Sequence, residues 1–192
     1  MIDLALLAAC TPAGIAVETV SEIVRVESGG DPLVLHVNIS GTGGQVIHPG
    51  DVAAAVRAIT QSLQRGNSVD IGLMQLNTSS VGGLGYNWAQ LLEPCTNIRV
   101  GAGLLREKYE AAARVLPEGQ PALAGALSSY NTGSLVRGFA NGYVGRYYPA
   151  MSVPPAAPRP RREAPTGERD PWTADTAVLF HGSGFSEASR NP

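Results

Sequence analysis

The sequence predicts an α-rich α+β domain with one small β-hairpin, followed by a proline-rich tail, and three observations carry that prediction. Six or seven stretches place apolar residues at helical spacing, whereas only one pair of short runs alternates as strands do. Both patterns stop near residue 150. Beyond it, residues 151–192 hold seven of the fourteen prolines and an arginine cluster at Arg159, Arg161 and Arg162, with no apolar periodicity. The 192 residues therefore divide into a domain over 1–150 and a disordered tail over 151–192, too polar to order itself.

The elements follow in order. Residues 2–9 are a short apolar helix running into Cys10. Leu7-Ala8-Ala9-Cys10 also has the form of a lipoprotein cleavage box, but no Lys or Arg precedes it and its apolar run is too short for a signal-peptide core. Residues 17–28 are the most informative helix. On a wheel with Val20 at zero, Ala16, Val17, Val20, Ile23 and Val24 fall within about 60° of zero as one apolar stripe, and Glu27 falls at about −20°, in its middle. Glu18, Glu22 and Arg25 lie opposite, at about 140–200°. Gly29-Gly30 stops this helix and Asp31-Pro32 breaks it.

Residues 33–39 and 45–48 are strand-like around a turn over 40–44, giving the hairpin. Asp51 is a suitable N-cap for a helix to residue 65, with Val52, Val56, Ile59 and Leu63 on one face and Gly66 just past its end. A glycine-rich loop spans 82–85, and a helical turn over 88–92 stops at Pro94. The longest helix is expected over 96–116, its face formed by Ile98, Ala102, Leu105, Tyr109 and Ala112, and Pro117 ends it. Helices over 121–129 and 134–139 complete the domain.

Composition narrows the function. A net charge of −2 with no Lys/Arg block argues against nucleic acid as a partner. No apolar run approaches the ~18 residues of a membrane span. His36, His48 and His181 lack ligand spacing, so no metal is expected, and Gly41 to Gly44 lack the Lys of a phosphate loop. No cofactor is implied. Cys10 and Cys95 are an even pair, compatible with a disulfide in an oxidising compartment or with two buried thiols. The disulfide is the preferred reading.

Glu27 is the candidate catalytic group. A carboxyl group among apolar side chains resists ionisation, which suits a general acid working near neutral pH. A helix-end Glu that turns to water is the plain alternative. Two further segments stand with Glu27-Ser28-Gly29-Gly30: Gly72-Leu73-Met74-Gln75-Leu76-Asn77 and Ala126-Leu127-Ser128-Ser129-Tyr130-Asn131-Thr132-Gly133. In this order and spacing the three resemble the motifs of goose-lysozyme-like lytic transglycosylases, the SLT domain. From Cys10 to about Tyr148 the chain resembles the VirB1-type transglycosylases of type IV secretion and conjugation systems, with Arg25–Leu33 and Glu93–Leu105 as supporting segments.

The resemblance implies a lysozyme-like fold and cleavage of the β-1,4 bond from N-acetylmuramic acid to N-acetylglucosamine in peptidoglycan, leaving a 1,6-anhydro end. It implies Glu27 as the single catalytic acid and base, and substrate contacts from Ser28, Gly72, Met74, Gln75, Tyr130 and Asn131. Gly72 would admit the backbone close to a sugar, and the Gln75 amide would both donate to and accept from an N-acetyl group. Met74 fits core packing or a subsite wall better than chemistry. Asp70 is expected to be a loop residue steadying the turn at Gly72 through backbone hydrogen bonds; in a hydrolytic muramidase it would position water instead. A non-catalytic glycan-binding scaffold is the remaining alternative. The expected setting is the periplasm or cell envelope, with glycan strands as partner and the tail as a docking segment for secretion components, although no export signal is evident.

Overall fold

The computed structural model describes residues 2–41 and 43–148; the expected tail over 151–192, and His181 within it, lie outside the described residues. The described chain forms two compact units, residues 2–12 with 23–102, and residues 13–22 with 103–148. The divisions fall inside two helices, α2 (Val17–Ser28) and α6 (Pro94–Ala113).

The first unit opens with α1 (Leu4–Cys10), whose N-terminus is capped by the Asp3 carboxylate accepting from Ala5 N–H at 2.9 Å. After the last turn and a half of α2 come β1 (Leu35–Asn38), β2 (Gln45–Ile47), α3 (Val52–Gln64), β3 (Ser68–Ile71), β4 (Leu76–Asn77), α4 (Thr78–Val81), α5 (Trp88–Leu92) and the start of α6. The hairpin of β1 and β2 is present, and β3 and β4 extend it to a four-stranded antiparallel sheet in the order β2-β1-β3-β4. The added strands have four and two residues, too few for alternation to stand out in sequence. In register they pair Leu35 with Ile71, His36 with Asp70, Val37 with Val69, and Asp70 with Asn77. Leu35, Val37, Val69 and Ile71 are buried, and the intervening His36, Asn38, Ser68 and Asp70 form a half-buried polar face.

Helix α3, with Ala55 and Ile59 buried, packs against β1 and β3 and against α5, and Leu91 and Leu92 of α5, Ile98 of α6 and Ile23 and Val24 of α2 are buried in the same unit. Asp51 caps α3 as its sequence suggests, accepting from Ala54 N–H at 2.7 Å, and Gly66 follows at φ +79°. Pro94 does more than stop α5. It is the first residue of α6, where its missing N–H costs nothing, and the Glu93 carboxylate before it accepts from the N–H groups of Cys95 and Thr96. Cys10 and Cys95 are joined in a disulfide with their Cα atoms 4.8 Å apart. The Cys10 sulfur is therefore occupied in this structure, which speaks against the lipoprotein reading.

The second unit holds the first turns of α2, the remainder of α6, α7 (Gln120–Thr132), α8 (Arg137–Ala140) and a 3₁₀ turn (Val144–Arg146). Helix α6 stops three residues short of the expected end, with the Ala112 carbonyl accepting from both Val115 and Leu116. Residues 122–128 of α7 are all buried, so this helix is the centre of the unit, with Leu105, Tyr109, Phe139, Tyr143 and Tyr147 in its core.

Candidate functional site

Helix α2 has the polarity its wheel predicts. Val20, Ile23 and Val24 are buried, Glu18 and Arg25 are exposed, and Glu27 is half-buried in the last turn. The helix ends where glycine takes over: Gly29 adopts φ +62° and donates to the Arg25 carbonyl. Ser28 seals the end. Its hydroxyl donates to the Val24 carbonyl at 3.0 Å and accepts from Gly30 N–H at 3.1 Å, so the residue beside Glu27 is fixed locally.

The chain then crosses to the second motif within the same unit. Asp31 turns it, accepting from Leu33 N–H at 2.9 Å and pairing with His48 Nδ1 at 2.9 Å. Burial raises the Asp31 carboxyl, but the hydrogen bond from His48, the N–H of Leu33 and the charge of His48 outweigh it, and the group lies below the usual aspartate value. The carbonyl of Val34 accepts from Gly72 N–H at 3.0 Å and from the Gln75 side-chain amide at 3.3 Å. The loop leaving Glu27 and the turn over 72–75 thus share one acceptor.

That turn is held from behind by Asn97, a fully buried side chain of α6. Its Oδ1 accepts from Met74 N–H at 2.8 Å, and its Nδ2 donates to the carbonyls of Ile71 at 3.0 Å and Leu91 at 2.7 Å. Gly72 is required here by the fold. At φ +70°, a Cβ on it would lie 2.5 Å from Asn97 Nδ2 and 3.1 Å from the Pro32 carbonyl, so no side chain fits here. Met74 is likewise in the core, fully buried, with Gly101 leaving room for it: a Cβ on Gly101 would fall 2.7 Å from its Cβ and Sδ.

Gln75 carries the strain. Among the described residues it is the single non-glycine with positive φ, at +48°. Its Nε2 donates to Gly72 O at 3.0 Å as well as to Val34 O, so the amide holds its own turn and only its carbonyl oxygen is left to meet a ligand. Asp70 is not the loop residue expected. It lies on β3, and its carboxylate accepts from two side chains, Asn38 Nδ2 at 2.9 Å and Asn77 Nδ2 at 2.7 Å, because the register brings all three to one face.

In the second unit, Tyr130 and Asn131 occupy the last turn of α7, which Gly133 ends at φ +69°. Tyr130 is half-buried, and exposed Asn131 accepts from Asn141 Nδ2 at 3.0 Å. Buried Ser128, which sequence reasoning did not single out, ties this helix end to the next segment. Its hydroxyl donates to Ser134 O at 2.6 Å and accepts from Gly138 N–H at 2.8 Å, and a Cβ on Gly138 would clash with it. Asn97 was missed as well, although an Asn beside the apolar stripe of a long helix is the same kind of signal as Glu27. No group of three or more His, Cys, Asp or Glu among the described residues is placed to hold a metal ion. No helix among them is long and apolar enough to cross a membrane.

Residues 6–148 match the family model described as the Transglycosylase SLT domain. The protein virB1 of Agrobacterium fabrum is 39% identical over 171 residues, covering 86% of this chain and 68% of that protein. The protein virB1 of Rhizobium radiobacter is 37% identical over 155 residues, covering 80% and 63%. The type IV secretion system protein virB1 of Brucella abortus is 30% identical over 132 residues, covering 68% and 53%. The matched segment thus spans from about half to about two thirds of these relatives. No solved structure matches the chain.

Proposed function

The chain belongs to the transglycosylase SLT family as a VirB1-type lytic transglycosylase, and from this membership we propose that it cleaves the β-1,4 bond from N-acetylmuramic acid to N-acetylglucosamine with Glu27 as its single acid and base. The observation that carries the reading is Glu27 half-buried at the end of an apolar stripe, beside the fixed hydroxyl of Ser28 and followed by the loop that shares the Val34 carbonyl with Gln75.

The Glu27 carboxyl proton passes to the glycosidic oxygen as the C1–O bond breaks. The carboxylate so formed takes the proton of the muramoyl C6 hydroxyl as O6 bonds to C1 of the same sugar. The acid is regenerated and a 1,6-anhydro end remains. A second carboxylate, used by most glycosidases, is not needed because the nucleophile is intramolecular and already close. In the first unit the proposed saccharide contacts are Ser28 and the Gln75 carbonyl oxygen; Tyr130 and Asn131 of the second unit are proposed as contacts from the likeness of their motif alone. Met74 and Gly72 would act beneath this surface as supports of Gln75. The wider role we propose is local opening of the cell wall in the envelope for a type IV secretion or conjugation apparatus, with the tail over 151–192 as the docking segment.

Mass spectrometry of soluble products from purified peptidoglycan tests this with the full chain beside Glu27→Gln. Anhydro-muropeptides that disappear in the variant are expected. Reducing-end products would make the protein a muramidase, and no release by folded wild type would favour the scaffold.

A further inference from the structure

Where α7 ends, the second unit carries an open cavity of about 520 Å³ lined by Thr132, Arg137, Ala140 and Asn141. Asn141 joins it to the third motif, since its Nδ2 donates to Asn131 Oδ1 at 3.0 Å. We propose that this cavity receives a carboxylate of the peptide stem borne by the muramoyl sugar, with Arg137 as the residue that distinguishes stem-bearing glycan from bare glycan. The proposal deepens the reading above and rests on it for the identity of the polymer.

Three features select that chemistry. First, the acceptors around the cavity are engaged while donors stay open. The Thr132 carbonyl accepts from Arg137 Nη2, the Thr132 hydroxyl from Ser134 N–H, Asn131 Oδ1 from Asn141, and Asn141 Oδ1 from Tyr143 N–H. A guanidinium has five N–H groups and a carboxamide nitrogen two. The remaining hydrogens of the Arg137 guanidinium, of Asn141 Nδ2 and of Asn131 Nδ2 have no partner among the described residues. A ligand that fits must therefore bring acceptors.

Second, Arg137 is exposed, and among the described residues no carboxylate stands within ion-pair distance of it. Its planar fork matches a carboxylate through two parallel charge-assisted bonds. A glycan of alternating N-acetylhexosamines is itself neutral. Its negative charge sits on the peptides that branch from the muramoyl lactyl group, as carboxylates of their acidic and terminal residues.

Third, the segment that carries Arg137 is pinned. Buried Ser128 accepts from Gly138 N–H at 2.8 Å and donates to the Ser134 carbonyl at 2.6 Å, and the Ser134 hydroxyl accepts from the backbone N–H groups of Val136 and Arg137. A Cβ on Gly138 would lie 2.6 Å from Ser128 Cα, so the residue after Arg137 is pressed against α7. With its backbone fixed on both sides and Nη2 on the Thr132 carbonyl, the guanidinium is held at the rim before a ligand arrives, which lowers the ordering cost of binding.

The test is an NMR titration of the ¹⁵N-labelled full chain carrying Glu27→Gln. The probes are N-acetylglucosaminyl-N-acetylmuramoyl-L-alanyl-D-glutamate and the same compound with both carboxyl groups amidated. The dicarboxylate should shift Arg137 Nε–H, Gly138 N–H and the side-chain amides of Asn131 and Asn141, and should bind about tenfold more tightly than the diamide. Arg137→Gln should abolish that preference. So should Ala140→Glu, an exposed position three residues further along α8, where the new carboxylate would occupy the guanidinium itself. Equal affinity for the two compounds, shifts that bypass Arg137, or a preference that survives both variants would overturn the site. Inorganic phosphate shifting the same signals at the same concentration would overturn its assignment to the stem. Carboxylate-dependent binding by a protein whose wild type releases no muropeptide would leave the site standing and remove the catalytic reading; release of anhydro-muropeptides without such binding would do the reverse.

Discussion

Asn97 holds the turn of the second motif by accepting a hydrogen bond from Met74 N–H at 2.8 Å, 23 residues away in the chain. The same carboxamide satisfies the carbonyls of Ile71 and Leu91. This one side chain ties a strand, a turn and two helices together. Truncation would leave three buried polar groups without this partner, and each such group costs about 1–3 kcal/mol. Asn97→Ala should therefore lose about 3 kcal/mol or more, read from urea unfolding. Asn97→Asp should recover little, because a carboxylate cannot donate to either carbonyl.

Gln75 separates strain from contact. Relieving a left-handed conformation is worth about 1 kcal/mol, while the two side-chain bonds are lost in any truncation. Gln75→Gly should thus be about 1 kcal/mol more stable than Gln75→Ala in denaturant unfolding. Both should lose muropeptide release to a similar extent, since each lacks the carbonyl oxygen and the bond to Val34. Equal stabilities would show that the turn relaxes away from φ +48° when the side chain is removed.

How much was legible in advance follows from range. The span of α2, the place of Glu27 on its stripe and the caps at Asp51 and Gly66 are decided within a turn or two of helix, and the sequence displays them. The pairing of Asp70 with Asn38, 32 residues away, depends on strand register, and β3 is too short to announce itself. The same limit explains Gly72 and Met74. Gly72 is also needed because Asn97 and the Pro32 carbonyl stand where a Cβ would go, and neither neighbour can be inferred from local pattern. Pro94 looked like a stop because it also serves as a start, and the capping carboxylate of Glu93 precedes it in the chain.

The disulfide closes a loop of 85 residues between α1 and the first turn of α6. In the chain-entropy model such a loop contributes about 4–5 kcal/mol by restricting the unfolded ensemble. Cys10→Ser with Cys95→Ser should lower the urea midpoint accordingly, and reductant should lower the wild type to the same value without affecting the double variant. A midpoint indifferent to both changes would mean that α1 is held by the burial of Leu7 rather than by the cross-link.

Asp31 makes stability and function depend on acid in a defined direction. Burial raises its carboxyl, but the hydrogen bond from His48, the N–H groups of Leu33 and Val34 and the charge of His48 together bring it below 3.8. A carboxyl depressed by folding contributes stability that is present above its unfolded value and is lost as pH falls through the folded one. Protonation releases both His48 and the turn before Val34, whose carbonyl holds Gln75. Wild type should therefore lose more of its urea midpoint than Asp31→Asn does as pH falls below the ordinary aspartate value, the variant being weaker above that value and drawing level once Asp31 is protonated in the folded protein. The group is partly exposed, so added salt should shrink the difference. A variant that tracks wild type in parallel across the whole range would remove Asp31 as the source and leave Glu93, which is also depressed and caps α6, as the carboxylate to change next.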